Sequence, residues 1–278
     1  MPNFIDKTLG QIAAYISEAV HSEKFARKKG FLQGIDARTK LLSALAFVLL
    51  VTCTQRIEVM LALLAAAGAL ALASRIPLRF FATRVLFFVP LFTGIIVIPA
   101  IFNVVTPGQE ALRLFSFNEW NLSITIEGIH AATILVIRTT AAISFPVLLT
   151  LTTRWNEVMN AMRSLKAPGV FVLILAMTYR YIFLFLGVLD KMLLSRKSRA
   201  TGRLRARAAC RLYAPIVGAL FIKAYDLNEK VFLAMLARGF NGEIKSTEPV
   251  RTRPKSLVFL AITASVWLVT LTAELVFW

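Results

Sequence analysis

The fold class predicted for this chain is an all-α polytopic membrane protein, with about five transmembrane helices and a cytoplasmic, membrane-hugging helical domain. Three observations predict it. Of the 278 residues, 58% are apolar, and the mean hydropathy is +0.70, which is more apolar surface than a soluble 30.9 kDa fold could hide. Six apolar runs approach the roughly 20 residues that cross a bilayer, at 39–54, 57–73, 84–102, 129–151, 170–189 and 256–277. The formal net charge of +17 is spread unevenly along the chain, as membrane sidedness demands; a nucleic-acid surface is not needed to explain it.

Residues 1–38 read as a cytoplasmic N-terminal segment. The first forty residues lack the apolar core and cleavage site of a secretory leader, so the first apolar helix is expected to act as its own insertion signal. Runs 39–54 and 57–73 are short and are joined by a tight turn at Gln55 and Arg56. In the third run Pro90 and Pro99 interrupt the backbone ladder, and in the fourth Pro146 does the same, so kinks are expected there. Together these runs make residues 39–151 a block of four transmembrane helices.

Charge sets the topology. Residues 1–40 hold seven Lys and Arg, and Arg75, Arg79 and Arg84 follow the second run. The polar stretch 103–128 carries Glu110, Glu119 and Glu127 against Arg113 alone. The positive-inside rule puts the N-terminus and Arg75–Arg84 in the cytoplasm and 103–128 outside. Residues 152–255 hold 19 of the 32 basic residues, eight of them between Lys191 and Arg211, too much charge to translocate readily. For that reason 170–189, with Arg180 at its centre, reads as a helix at the membrane base, with a true span as the alternative. Residues 256–278 supply the fifth span.

Several classes of function are disfavoured. No Gly-rich loop ending in Gly-Lys-Ser/Thr is present, and neither His21 nor His130 belongs to a Cys/His/Asp cluster with metal-ligand spacing. Cys53 and Cys210 provide no disulfide framework. Glu58, Glu127 and Glu274 sit near span ends, leaving no paired intramembrane carboxylates for an ion-coupled carrier. Arg138 is the one charge well inside a span, where a buried polar contact or snorkelling is expected.

Three segments stand out. In Ile35-Asp36-Ala37-Arg38-Thr39-Lys40-Leu41-Leu42, Asp36 is expected to cap the first helix while Arg38 and Lys40 anchor its end at the cytoplasmic face. The segments around Ser198-Arg199-Ala200, followed by Gly202, and Ala237-Arg238-Gly239 both look like helix ends, with an arginine before a glycine. Dipole complementation accounts for either alone. Two such ends in one cytoplasmic domain are also suited to bidentate contacts with carboxylates or carbonyls of a partner.

Residues 35–42 resemble the Asp-Pro-Arg-x-Lys-Leu signature of the transmembrane T component of energy-coupling factor importers, the CbiQ/EcfT family, with Ala37 in place of the usual Pro. Ala234–Phe240 resembles that family's second coupling motif, and Ser198-Arg199-Ala200 resembles the first, with Ser198 and Ala200 departing from it. The likeness extends over nearly the whole chain, and the N-terminal extension is similar to that of the cobalt and nickel type. The resemblance implies a non-catalytic coupling subunit in the plasma (inner) membrane. Its implied partners are two P-loop ATPases, as a homo- or heterodimer, a small substrate-binding membrane subunit and an accessory small membrane subunit. ATP and Mg would sit on the ATPases, with no cofactor held by this chain and no nucleic acid bound. Arg199 and Arg238 would each dock one ATPase, their helices tilting against a 170–189 platform with Gly169, Gly187, Gly218 and Gly239 as slack points. A stand-alone secondary transporter or channel is the alternative, and a lipid-phosphate enzyme a more distant one.

Overall fold

A computed structural model describes residues 26, 30–93, 97, 110–117, 120–199, 206–242 and 254–276. After a 3-10 turn at Leu32–Gly34 come α1 (Ala37–Cys53), α2 (Ile57–Ala73), α3 (Leu78–Phe92), a hairpin of β1 (Glu110–Phe117) and β2 (Trp120–Thr125), and α4 (Ile126–Thr152). Then follow α5 (Trp155–Ser164), α6 (Gly169–Arg199), α7 (Ala206–Ala237) and α8 (Pro254–Val276). Among the described residues the regular structure is helical apart from the hairpin, and the chain is a membrane protein. By length and composition α4, Gly169–Arg196 of α6 and Pro254–Thr272 of α8 are long and apolar enough to cross a bilayer, and α2 is apolar but shorter. His21, Pro99, Ala200, Gly202 and most of the N-terminal segment lie outside the described residues.

The described residues divide into two units between Val158 and Met159. The first holds α1–α4, the hairpin and α8. Its hub is α4, which packs against α1, α2 and α3, while α8 packs on α1. Phe47, Leu50 and Val51 of α1, Leu63 and Ala67 of α2, Phe81 and Val85 of α3, and Ala141, Phe145 and Leu148 of α4 form one buried cluster. Small residues at Ala67, Ala71 and Ala141, all fully buried, permit close approach between helices, the usual means of packing where lipid removes the hydrophobic drive for association.

Sequence expectations are refined at four places in this unit. The third helix begins at Leu78, so Arg79 and Arg84 lie inside it and only 74–77 connect it to α2. Phe80 and Phe81 donate to the carbonyl of Pro77, and Arg84 sits 4.9 Å above the Phe80 ring, so the apolar stem of each arginine can cover helix surface. The polar stretch 103–128 contains an antiparallel hairpin running from Glu110 opposite Thr125 to Phe117 opposite Trp120. The α4 helix continues through Pro146 without ending. Arg75 takes a left-handed φ of 56° after α2, with Arg75 N donating to Leu72 O and Ile76 N to Ala71 O, a Schellman stop built on a non-glycine residue.

The second unit contains α6 and α7. Leu193, near the end of α6, packs on Ile216, early in α7. Residues 173–189 of α6 and 220–240 together line one groove, which requires the two helices to run antiparallel. The segment 170–189 is therefore not a separate platform. It is the first two-thirds of the same 31-residue helix that ends at Arg199.

Candidate functional site

Arg238 is the C-cap of α7 and is exposed. Gly239 follows at φ 79°, Gly239 N donates to Leu236 O at 2.9 Å, and Phe240 N to Met235 O at 3.0 Å. These two bonds make a Schellman motif, which closes the helix and fixes the direction in which Arg238 leaves it. Ala237 is the last helical residue. At the end of α6, Ser198 donates its hydroxyl to Ser195 O at 2.9 Å, and both Ser198 and Arg199 are exposed.

The antiparallel pairing separates the two arginines. Counting rises from the Leu193–Ile216 contact, Arg199 and Arg238 lie at opposite ends of the hairpin, roughly 42 Å apart along it. The two arginine-bearing helix ends are therefore not neighbours. Between the helices runs a groove of about 750 Å³ lined mainly by apolar side chains, including Ile174, Ile182, Phe185, Val231 and Met235. Phe221, Val217 and Tyr225 of α7 are also strongly exposed. Gly187 and Gly218 lie in helix interiors with open space where a Cβ would stand, so neither is demanded by packing or by a cap.

The signature at 35–42 has a different geometry from the one expected. Asp36 occupies the N-cap position of α1 with extended backbone, but its side chain makes no capping bond; its backbone N–H donates to Ser256 Oγ of α8 at 3.0 Å. Arg38 is half-buried. Lys40 points inward: it is 4% exposed, and its Nζ donates to the carbonyl of Thr152 at 3.1 Å. That carbonyl belongs to the last residue of α4, whose intrahelical partner is missing, so the ammonium both satisfies an orphan acceptor and meets the negative end of the helix dipole. An outward anchor is therefore replaced by an internal clasp. Arg138, the charge expected within a span, donates from a terminal guanidinium nitrogen to the carbonyl of Thr54, the C-cap of α1, at 3.0 Å.

Thr152 and Ser256, the partners of Lys40 and Asp36, were not singled out from the sequence. The available signal was Lys40 itself, a cation placed one turn into an apolar helix. Cys53 is a free, exposed thiol. Among the described residues no group of three or more His, Cys, Asp and Glu side chains is placed to hold a metal ion.

Comparison with known proteins agrees with this architecture. Residues 28–249 match the family described as cobalt transport protein, CbiQ. The chain is 38% identical over 255 residues to an uncharacterised protein of Methanocaldococcus jannaschii, covering 92% of this chain and 87% of that one. It is 27% identical over 249 residues to the energy-coupling factor transporter transmembrane protein EcfT of Thermanaerovibrio acidaminovorans, covering 86% and 88%. It is also 26% identical over 180 residues to the cobalt transport protein CbiQ of Rhodobacter capsulatus, covering 64% and 68%.

Proposed function

The chain belongs to the CbiQ cobalt transport protein family, the transmembrane components of energy-coupling factor transporters, and on that premise we propose that it couples two ATPase subunits to a small substrate-binding membrane subunit. The observation that carries this reading is the pair of exposed arginines, Arg199 and Arg238, at opposite ends of one apolar helical hairpin. Each guanidinium offers a planar fork for carboxylates or carbonyls of a docking groove. A span of roughly 42 Å between the arginines suits two separate ATPase protomers better than one site.

In this reading ATP and Mg are bound and hydrolysed on the partners, and this chain is the non-catalytic subunit. Closure of the ATPase pair displaces both ends of the hairpin, and the apolar groove between α6 and α7 passes that motion to an apolar helix of the substrate-binding subunit. Cobalt or nickel is the cargo, as substrate of the partner.

The proposed membrane orientation is supported by charge and by one packing relationship. α8 runs parallel to α1, since Asp36 meets Ser256 and Ala46 meets Trp267. Parallel helices start on the same side, so the chain between α4 and α8 crosses the bilayer an even number of times once α1–α4 have returned it to the starting side. A single crossing by α6 would break that parity. This supports a cytoplasmic α5–α7 region in a multi-pass protein of the plasma membrane.

The test is Arg238→Glu in the assembled transporter, with expression monitored. Loss of ATPase co-purification and of metal uptake is expected. Arg199→Glu should weaken the other contact, and the double substitution should abolish assembly. Retained ATPase capture together with retained uptake refutes the docking role, and solute transport by the purified chain alone would favour a stand-alone carrier.

A further inference from the structure

The cations on α1 and α4 form a matched pair. Lys40 of α1 caps the C-terminal carbonyl of α4 at Thr152, and Arg138 of α4 caps the C-terminal carbonyl of α1 at Thr54. Lys40 and Thr54 are fourteen residues apart, and so are Arg138 and Thr152. Midway between the two clasps, seven residues from each, Phe47 stacks on Phe145 with ring centroids 4.5 Å apart and planes inclined by 12°. The three contacts therefore share one antiparallel register, with each step of seven along α1 matched by seven back along α4. Ala44 and Val51, at four-three spacing on α1, and Leu148 and Ala141, their register partners on α4, are all buried. This is the heptad seam of an antiparallel coiled coil.

A seam of this kind repeats itself every seven residues, so a slip by one heptad again sets apolar side chains against apolar side chains. In lipid no hydrophobic drive penalises the slip. The two cations do penalise it. Because both clasps belong to the same register, any displacement leaves two desolvated charges and two helix-end carbonyls without their partners at once.

We propose that Lys40 and Arg138 are positioning residues that act as reciprocal register locks. They hold α1 and α4 against sliding, so that the end of α4, from which the chain continues into α5–α7, is a fixed mount during the transport cycle. The functional half of this proposal rests on the coupling role proposed above; the register half does not.

The experiment uses the full chain in membranes with Cys53 and Cys210 replaced by Ser. Oxidative cross-linking is compared for an in-register pair, A44C with L148C, and a pair one heptad out, A44C with A141C. With Lys40 and Arg138 present, the in-register pair should dominate. In Lys40→Met/Arg138→Met the ratio of out-of-register to in-register product should rise by at least about tenfold. In the assembled transporter uptake per ATP hydrolysed should fall while ATPase co-purification persists. An unchanged cross-linking ratio overturns the proposal, and so does a parallel fall of ATPase capture and uptake at constant uptake per ATP, which marks a plain stability role. If the double variant does not accumulate, Lys40→Arg and Arg138→Lys, which keep a donor at each clasp, are measured against the single Met variants. Preserved register and uptake in the conservative pair alone supports the locks, and equal loss in all four overturns them. Failure of wild-type chain to capture ATPases would refute the coupling role while leaving the cross-linking ratio readable.

Discussion

The indole N–H of Trp267 donates to the carbonyl of Ala46 at 3.1 Å, joining the middle of α8 to the middle of α1. Ala46 lies within a continuous helix, so its carbonyl keeps an intrahelical donor when the indole is lost. Trp267→Phe should therefore lower stability by only about 1 kcal/mol. Thermal unfolding of the detergent-solubilised chain, followed by circular dichroism, measures this. A loss above about 3 kcal/mol would mean that packing of the larger ring, rather than the hydrogen bond, dominates that contact.

At the N-terminal end of the same helix pair, Ser256 is 1% exposed and accepts from the backbone of Asp36. Ser256→Ala leaves that N–H without its acceptor and should cost about 1–3 kcal/mol, whereas Ser256→Thr keeps the hydroxyl and should cost less. Equal losses in the two variants, in the same unfolding assay, would contradict a hydrogen-bond origin.

Gly30 lies close against the end of α2. A Cβ there would stand 2.7 Å from the carbonyl oxygen of Ser74, a backbone atom that cannot swing aside. Gly30→Ala should destabilise the bundle or displace residues 30–35 from α2, where Phe31 N now donates to Ala73 O. Hydrogen exchange at Phe31 reads the displacement directly, with faster exchange expected in the variant.

Lys166 holds a left-handed φ of 64° at the end of α5, with Lys166 N bonded to Arg163 O and Ala167 N to Met162 O. Glycine adopts this conformation without a Cβ penalty, so Lys166→Gly should stabilise by up to about 1 kcal/mol, offset in part by unfolded-state entropy. Gly239→Ala is the opposite case. At φ 79° the new Cβ should cost about 1–2 kcal/mol locally and disorder the cap that presents Arg238. ATPase capture should then weaken although Arg238 itself is intact, and unchanged capture would show that the cap does not aim the arginine.

Gly187 and Gly218 have no packing or capping duty, and each costs its helix about 1 kcal/mol relative to alanine. Gly187→Ala/Gly218→Ala should raise hairpin stability. If slack in α6 and α7 is needed for coupling, uptake should fall at the same time; undiminished uptake would dismiss these glycines as joints.

The order of apolar helices and the arginine-glycine helix end at Ala237-Arg238-Gly239 were legible because hydropathy, charge asymmetry and turn chemistry are local properties of sequence. The role of Lys40 was not. Its partner is the carbonyl of Thr152, 112 residues away, and no local pattern distinguishes a lysine that reaches outward to headgroups from one that reaches inward to a helix end. The same limit hid Ser256, which relieves Asp36 of its expected capping job by taking its backbone N–H instead. The start of α3 was set six residues late because a hydropathy window discounts Arg79 and Arg84, whereas a helix accommodates both once their stems lie along its surface. Reading 170–189 apart from Arg199 had a similar origin. Apolar content changes sharply near Asp190, but the backbone ladder does not.

The clasps also fix a thickness. Fourteen residues of helix rise about 21 Å, so the charge-to-charge length of the α1–α4 seam falls short of a typical hydrocarbon layer of about 30 Å. α1 ends at Cys53, level with Arg138, while α4 extends a further twelve residues toward the hairpin side. A bilayer crossed by α1 would have to dimple toward Arg138, or a neighbouring helix would have to roof the gap. Reconstitution into bilayers of graded acyl length would expose this mismatch, with short-chain lipids relieving the dimple and long-chain lipids deepening it.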